Sequence, residues 1–405
     1  MCSSDLYELA RAGWMVTVVD RGAFGAGCSH GNCGYICPSH VLPLAGPGAI
    51  GTTLKTLFQK NSPLKVHPGF ALTHLGWFLR FAAKCNRSDL LKSAVGIQAL
   101  LDSSRRLYDE FLGREGPDVE WDDRGLLFVF RTAAAFEHYA ETDSLLRSRF
   151  DRGADRFAAN ELAELEPGLK RESISGGYLY RGDAQLRPDR LMAALKAILL
   201  KLGVAIREGE PVLGLQATND RSQCLGVRSE RGTIAADAIV FATGAWSARW
   251  AGELGMSIPV VPGKGYSITM PKPANGPKYP MIFEEDRVAV SPFETGLRIG
   301  STMEFAGYDE SLKPERLRLL TDAASKYLHD PGDAARATEH WWGWRPMTPS
   351  GLPIIDRSRR YENVWLAAGH GMLGLSMATG TARLLRERMT GESPHIDPVP
   401  YGARR

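Results

Sequence analysis

The sequence predicts an α/β fold in which a dinucleotide-binding unit is interrupted by an inserted antiparallel-sheet α+β domain. Three observations carry that prediction. Met15 to Val19 is a short apolar run ending in Asp20, which reads as a buried parallel strand. Ala238 to Trp246 is a second apolar strand that runs straight into a Thr-Gly turn. From Val260 to Thr302 the hydrophobic period drops to two, with turn residues between the runs, as in an antiparallel sheet. At 405 residues the chain exceeds what one core usually supports, so two domains are expected.

Each element has a local reason. Asp5 to Ala12 reads as a helix with Ser3 or Ser4 as cap and Gly13 as stop. In dinucleotide-binding units an acidic residue at the end of the second strand accepts the ribose hydroxyls, about 20 residues after a G-x-G-x-x-G turn. Asp20 leaves no room for that turn, which should fall where the chain reads Met1-Cys2-Ser3-Ser4-Asp5. The first strand and glycine turn are therefore read as missing, and the sequence as truncated at its N-terminus by roughly a dozen residues.

A loop rich in Gly, Ser, His and Cys follows to about Pro43, then an aromatic-rich helical pattern from Thr53 to Arg80. Amphipathic helices are predicted over Lys92 to Leu112, Thr132 to Arg149, Pro188 to Leu202 and Pro314 to Leu328. Strands are predicted over Gly125 to Phe130, Gly176 to Tyr180, Ala205 to Arg207, Val212 to Ala217, Cys224 to Ser229 and Thr233 to Ala235. The order implies discontinuous domains: residues 1–45, 160–245 and 335–405 form the nucleotide domain, and 46–159 and 246–334 the inserted one.

Composition excludes several classes. The chain holds 49 Lys and Arg against 46 Asp and Glu, net +3, without long basic runs, so nucleic acid is not an expected partner. No apolar run reaches the roughly 18 residues of a spanning helix. Leu191 to Ile206 comes nearest, but Lys196 and Lys201 interrupt it. The start has no cationic stretch followed by an apolar one, so no signal peptide is expected, and the protein reads as soluble and cytoplasmic. Six cysteines suggest no disulfide framework. Cys28, Cys33 and Cys37 cluster with His30 in one loop, but their spacing matches no paired metal-ligand signature and no metal is expected.

Arg345 is the leading site candidate. A guanidinium holds a carboxylate with two parallel hydrogen bonds and stays charged at any working pH. Set between Trp344 and Pro346 in an apolar strand, it requires an anion, either a bound carboxylate or an internal acid. Downstream, Gly369-His370-Gly371-Met372-Leu373-Gly374 reads as the opening of a helix that runs to about Arg388. Its free N–H groups would stabilise negative charge on an electron-rich ring. Asp20 suits ribose binding, and Arg21 is either solvated or near the adenosine. Thr243-Gly244-Ala245-Trp246 gives either a close backbone approach to a cofactor or a plain turn.

Several motifs together resemble the flavin-dependent amine oxidoreductases that include D-amino acid oxidase, glycine oxidase and D-amino-acid dehydrogenase. They are Ala10 to Arg21, Asn32-Cys33-Gly34-Tyr35-Ile36-Cys37-Pro38, Pro262-Gly263-Lys264-Gly265-Tyr266-Ser267, the Arg345-Pro346 block and Gly369-His370-Gly371. The resemblance spans about Tyr7 to Gly391 and implies a Rossmann-like FAD-binding domain. It implies FAD as cofactor and oxidative deamination of a small D-amino acid by hydride transfer from the α-carbon, giving a 2-oxo acid and ammonia. It places the Ser29 to Gly34 loop, with Ser29, Asn32 and Gly34, near the flavin, and the main chain of Val212 at the adenine. Tyr266 becomes a second donor to the substrate carboxylate beside Arg345, and His370 a cofactor contact. A secondary-amine oxidoreductase of sarcosine or hydroxyproline type is an alternative, as is a truncated fold that has lost its cofactor. The acceptor is read as a quinone or another electron carrier. The aromatic stretch Phe70 to Ala83 fits burial against the inserted domain, which its pattern favours, or peripheral contact with the inner face of the cell membrane.

Overall fold

The computed structural model describes residues 2–51, 62–220 and 222–403. The first helix spans Cys2–Arg11, so Ser3 and Ser4 lie within it rather than capping it. Met15 is fully exposed and the strand that follows is Thr17–Val19, paired in parallel with Ala205–Arg207. A second piece of parallel sheet joins Ile239–Phe241 to Val364–Ala368, with Ile354–Arg357 added antiparallel. These two pieces, the Val212–Ala217, Cys224–Ser229 and Gly232–Ala235 meander, and helices Pro188–Lys201 and Ala378–Thr390 build the nucleotide half.

The other half is a nine-stranded, mainly antiparallel sheet. Its order is Glu339–Met347, Val261–Met270, Leu297–Phe305, Val288–Pro292, Met281–Phe283, Leu126–Phe130, Gly176–Tyr180, Asp155–Ala158, with Leu64–Val66 paired beside Leu297–Phe305. Glu339–Met347 and Gly176–Tyr180 therefore belong to this sheet and not to the nucleotide half where the sequence division put them. Their ladder hydrogen bonds decide it: Glu339–Met347 lies along Val261–Met270 from Met347 opposite Val261 to Glu339 opposite Thr269.

Helix Pro314–Tyr327 covers one face of the sheet, burying Leu317, Leu320 and Ala324 against Tyr266, Ile268 and Ile299. The long helix Arg87–Glu115 is capped by the Asn86 side chain at its start and by left-handed Gly116 at its end. The aromatic pattern from Thr53 is described only from residue 62 onward, its first part lying outside the described residues. There it forms helices Pro68–Thr73 and Leu75–Lys84, which pack Phe70 and Trp77 onto Phe305. No described helix is long and apolar enough to cross a membrane.

Candidate active site

Strand alternation fixes which side chains meet around Arg345. On Glu339–Met347 the odd positions Trp341, Gly343, Arg345 and Met347 share one face, and their antiparallel partners Gly263, Gly265 and Ser267 share it too. Glycine is needed here for space. A Cβ on Gly265 would lie 2.3 Å from the Arg345 guanidinium carbon, so only a bare backbone lets the side chain lie across the strand.

The Arg345 guanidinium is half-buried and donates to the Thr302 carbonyl at 2.7 Å. No carboxylate among the described residues comes within ion-pair distance of it, so the internal-acid alternative finds no partner. Burial lowers its pKa from the usual arginine value, and interaction with the Cys33 and Cys28 thiols opposes that shift. Those thiols are in turn pushed up by burial and are held protonated.

The loop Cys28 to Gly34 lies over this face. A Cβ on Gly31 would fall 2.1 Å from the Trp341 indole, and one on Gly300 would fall 2.7 Å from the Cys33 sulfur. Inside the loop, Asn32 N–H donates to the Ser29 carbonyl at 3.3 Å, and Asn32 Oδ1 accepts from Gly34 N–H at 2.7 Å. Gly34 has φ +82° and its Cβ position coincides with the Leu186 carbonyl, so no other residue fits there. Arg298, buried in the neighbouring strand, ties the loop down. Its guanidinium donates to the carbonyls of His30 at 2.9 Å and Asn32 at 2.8 Å, and to Thr269 Oγ1 at 2.9 Å. His30 adds an ion pair with Glu339 at 2.6 Å. Sequence reasoning missed Arg298, although it carries the signal that singled out Arg345: an arginine within an otherwise apolar strand, Leu297-Arg298-Ile299.

The C-terminal motif closes the far end of the same face. Gly371 sits against the Met347 thioether, which shares the face with Arg345. The motif does not open the long helix: Gly371–Leu373 is one 3-10 turn, and the α-helix begins at Ala378. Left-handed Gly369 and Gly371 bend the backbone so that regular helix starts only after Gly374. His370 is buried with its pKa pushed well below the usual value by burial, so it is neutral, and its Nε2 pairs with Thr381 at 3.0 Å. Leu373 N–H donates to the His370 carbonyl at 3.1 Å, and Met372 is exposed.

Tyr266 does not join Arg345. Its register partner is Trp342, on the opposite face, and its hydroxyl donates to buried Glu304 at 2.7 Å. The one-residue offset from Gly265 turns the ring away, which corrects the expectation of a second carboxylate donor. Lys264 lies on that reverse face as well, buried beside the Trp342 ring.

The residues expected to hold the nucleotide gather at the reverse side of the strand. Asp20 accepts from Gly22 N–H at 2.8 Å and its carbonyl accepts from Glu210 N–H at 2.8 Å, bringing the strand end to within two residues of Val212. Arg21 stacks 3.8 Å above the Trp246 ring, and Trp246 meets Trp344 edge-on at 5.1 Å. Thr243 Oγ1 pairs with Ser247 at 2.9 Å, and left-handed Gly244 starts the 3-10 turn that carries Trp246. Asp20, Arg21, Val212, Thr243, Gly244 and Trp246 thus form one neighbourhood, with Trp344 linking it to the Arg345 strand. The cavity of about 20 Å³ between Tyr7, Tyr108 and Leu191 includes none of these residues. Among the described residues no group of three or more His, Cys, Asp or Glu is placed to hold a metal ion.

A family model described as FAD dependent oxidoreductase matches residues 4–388. The chain belongs to the FAD dependent oxidoreductase family. It is 32% identical over 407 aligned residues to a D-amino acid dehydrogenase of Cereibacter sphaeroides, covering 98% of this chain and 92% of that protein. It is 34% identical to a D-amino acid dehydrogenase of Chromohalobacter salexigens, covering 97% of this chain and 94% of that protein. Its fold superposes on the crystal structure of glycine oxidase from Geobacillus kaustophilus with a TM-score of 0.76 at 21% identity, covering 100% of this chain and 95% of that one.

The residues around Arg345 fit the cofactor of this family. Ser267 Oγ, on the Arg345 face, Thr302 Oγ1, beside its hydrogen-bonded carbonyl, and His370 Nδ1, next to Gly371, are buried without partners. Buried polar atoms are ordinarily satisfied, so three orphans around one strand face point to a polar heterocycle that completes them. The Ser29 to Gly34 backbone and the Gly369 to Gly371 turn would hold FAD there.

Proposed function

We propose that this chain is an FAD-dependent D-amino-acid dehydrogenase that deaminates small D-amino acids to 2-oxo acids and delivers the electrons to a quinone. The half-buried, acid-free guanidinium of Arg345 facing the Cys28 to Gly34 loop is the observation that carries the reading. The names of the two curated relatives support the substrate class.

In this reading Arg345 grips the substrate carboxylate through two parallel N–H donors and presents the α-carbon to the cofactor. Bound FAD supplies the two-electron acceptor that takes the hydride from that carbon. The amine enters neutral, and its nitrogen lone pair forms the C=N bond as the C–H bond breaks. Cys28 and Cys33, protonated by burial, offer no base to remove the α-proton, which favours hydride departure over carbanion formation. Water then adds to the imino acid and ammonia leaves.

The test is turnover by the FAD-loaded protein on paired D- and L-amino acids, sarcosine and hydroxyproline, with a soluble dye and with oxygen as acceptors. Dye-linked turnover of D-amino acids with equimolar 2-oxo acid and ammonia is expected. Preference for sarcosine or hydroxyproline would transfer the chain to the secondary-amine class, and oxygen turnover as fast as dye turnover would remove the dehydrogenase assignment.

A further inference from the structure

On the face of Arg345, two glycines grip one indole. A Cβ on Gly343 would lie 2.3 Å from the outer benzo edge of Trp341, and one on Gly31 would lie 2.1 Å from a ring-junction carbon of the same side chain. The indole is therefore held between the backbone of its own strand and the backbone of the loop above it. Gly343 is the register partner of Gly265, and the Arg345 guanidinium lies across Gly265. Neighbouring strands are about 4.8 Å apart, so the indole edge and the guanidinium sit side by side over one bare glycine pair. Trp341 is half-buried, whereas Trp344 is buried among Trp246 and Tyr308 on the reverse face.

From Arg345 the face runs in two directions. One leads past Met347 to Gly371, where the cofactor is expected. The other leads over the glycine pair to a row of directly paired residues, Trp341, Ser267, Gly300 and Ala289, one from each of four neighbouring strands. Three of the four are small, so Trp341 decides how much room the row leaves. A ring gripped between two backbones has little freedom to turn aside, and close packing makes even one methylene of excess volume felt.

We propose that Trp341 sets the size limit on the substrate side chain. With its carboxylate on Arg345 and the cofactor over the Gly371 end, a substrate directs its α-substituent across Gly265 and Gly343 toward the indole. A methyl group such as that of D-alanine fits over the bare pair, and long branched or aromatic side chains meet the ring. Exclusion by pocket shape separates substrates by about 10- to 200-fold for one methylene. Removing the indole joins the glycine pair to Ser267, Gly300 and Ala289, opening a trough in which a longer side chain lies. The identity of the substrate rests on the proposed function; the size limit requires only that Arg345 binds a carboxylate.

The test uses the FAD-loaded protein and its Trp341→Ala and Trp341→Phe variants, with flavin absorbance reporting the loading of each. Calorimetry measures the binding of acetate, butyrate and hydrocinnamate, and dye-linked kinetics measure kcat/KM for D-alanine, D-leucine and D-phenylalanine. In the parent both quantities should fall as the substituent grows. In Trp341→Ala the ratio of kcat/KM for D-phenylalanine to that for D-alanine should rise about tenfold or more, and the affinity for hydrocinnamate relative to acetate should rise with it. Trp341→Phe keeps a smaller aromatic wall and should fall between. If Trp341→Ala loses its flavin, the ratios in Trp341→Phe decide by the same criterion. A ring that only props the Cys28 to Gly34 loop would weaken every ligand by one factor and leave both ratios unmoved. That outcome would overturn the proposal, as would a parent that binds hydrocinnamate as tightly as acetate. Size-dependent carboxylate binding that relaxes in the variants, without turnover of any D-amino acid, would remove the proposed function and leave the size limit standing. Turnover of D-amino acids with both ratios unmoved would do the reverse.

Discussion

At the scale of single residues, two side chains one strand apart make opposite predictions. Arg345 has free N–H groups on the face that the Cys28 to Gly34 loop covers, whereas Tyr266 points to the other face and serves Glu304. Replacing Arg345 with Ala should lower kcat/KM for D-amino acids by about 10²- to 10³-fold, roughly 3–4 kcal/mol, with FAD content retained. Arg345→Lys should recover part of the loss, because an ammonium restores charge but not the planar fork. Steady-state kinetics beside the flavin absorbance of each variant decide it, and an unchanged KM in Arg345→Ala would exclude carboxylate binding there. Tyr266→Phe should leave KM unmoved. It instead deprives Glu304 of one of its three donors, the others being His67 and Lys313, both at 2.6–2.7 Å. Loss of a hydrogen bond to a buried carboxylate costs about 1–3 kcal/mol, measurable by denaturant unfolding.

At the scale of elements, the Cys28 to Gly34 loop owes its position to a strand far away in sequence. Arg298 binds two of its carbonyls and Thr269, and touches Asp189 and Glu339, each at 3.4 Å. Replacing Arg298 with Met should release the loop from the face of Arg345, raise KM more than it lowers kcat, and expose the loop to protease. Breaking such a buried charged network costs about 3–5 kcal/mol. Arg298→Lys should keep the fold but not the KM, since one ammonium cannot reach three acceptors from a fixed fork position. A kcat loss with KM unchanged would mean that the loop does not shape substrate binding. This dependence explains what sequence could and could not show. Arg345, the glycines around it and the period-two strands are local signals, and they were legible. The face on which Tyr266 lands depends on register, and the coupling of Arg298 to a loop some 260 residues earlier depends on sheet topology. Neither leaves a local trace. The Gly369 to Gly374 motif was legible as a turn, but a left-handed glycine looks the same in sequence whether it precedes a helix or delays one.

At the scale of the whole molecule, a buried carboxyl gives stability a readable pH dependence. Asp183, next to the Ala184–Gln185 strand, accepts from the Ser39 N–H at 3.0 Å and from the Ser39 hydroxyl at 2.5 Å. Burial pushes its carboxyl up to about 7 from an ordinary 3.8, despite those two hydrogen bonds. A raised carboxyl means that the native state keeps a proton that the unfolded chain has lost. Over that window folding binds a proton, and the contribution of Asp183 is fully present below about 3.8 and lost progressively up to about 7. Asp183→Asn holds a neutral side chain of the same shape at every pH and keeps the Ser39 N–H acceptor. The difference in unfolding free energy, Asn variant minus parent, should therefore rise with pH between about 4 and 7, by an amount on the order of 4 kcal/mol at most, and be flat outside that window. Taking the difference cancels other titrating groups such as Glu304, whose burial opposes ionisation but whose bonds from Lys313, Tyr266 and His67 hold it at about 2. Urea unfolding of both proteins at several pH values measures it. A difference that falls as pH rises would mean that Asp183 is ionised in the folded protein, with Ser39 outweighing burial.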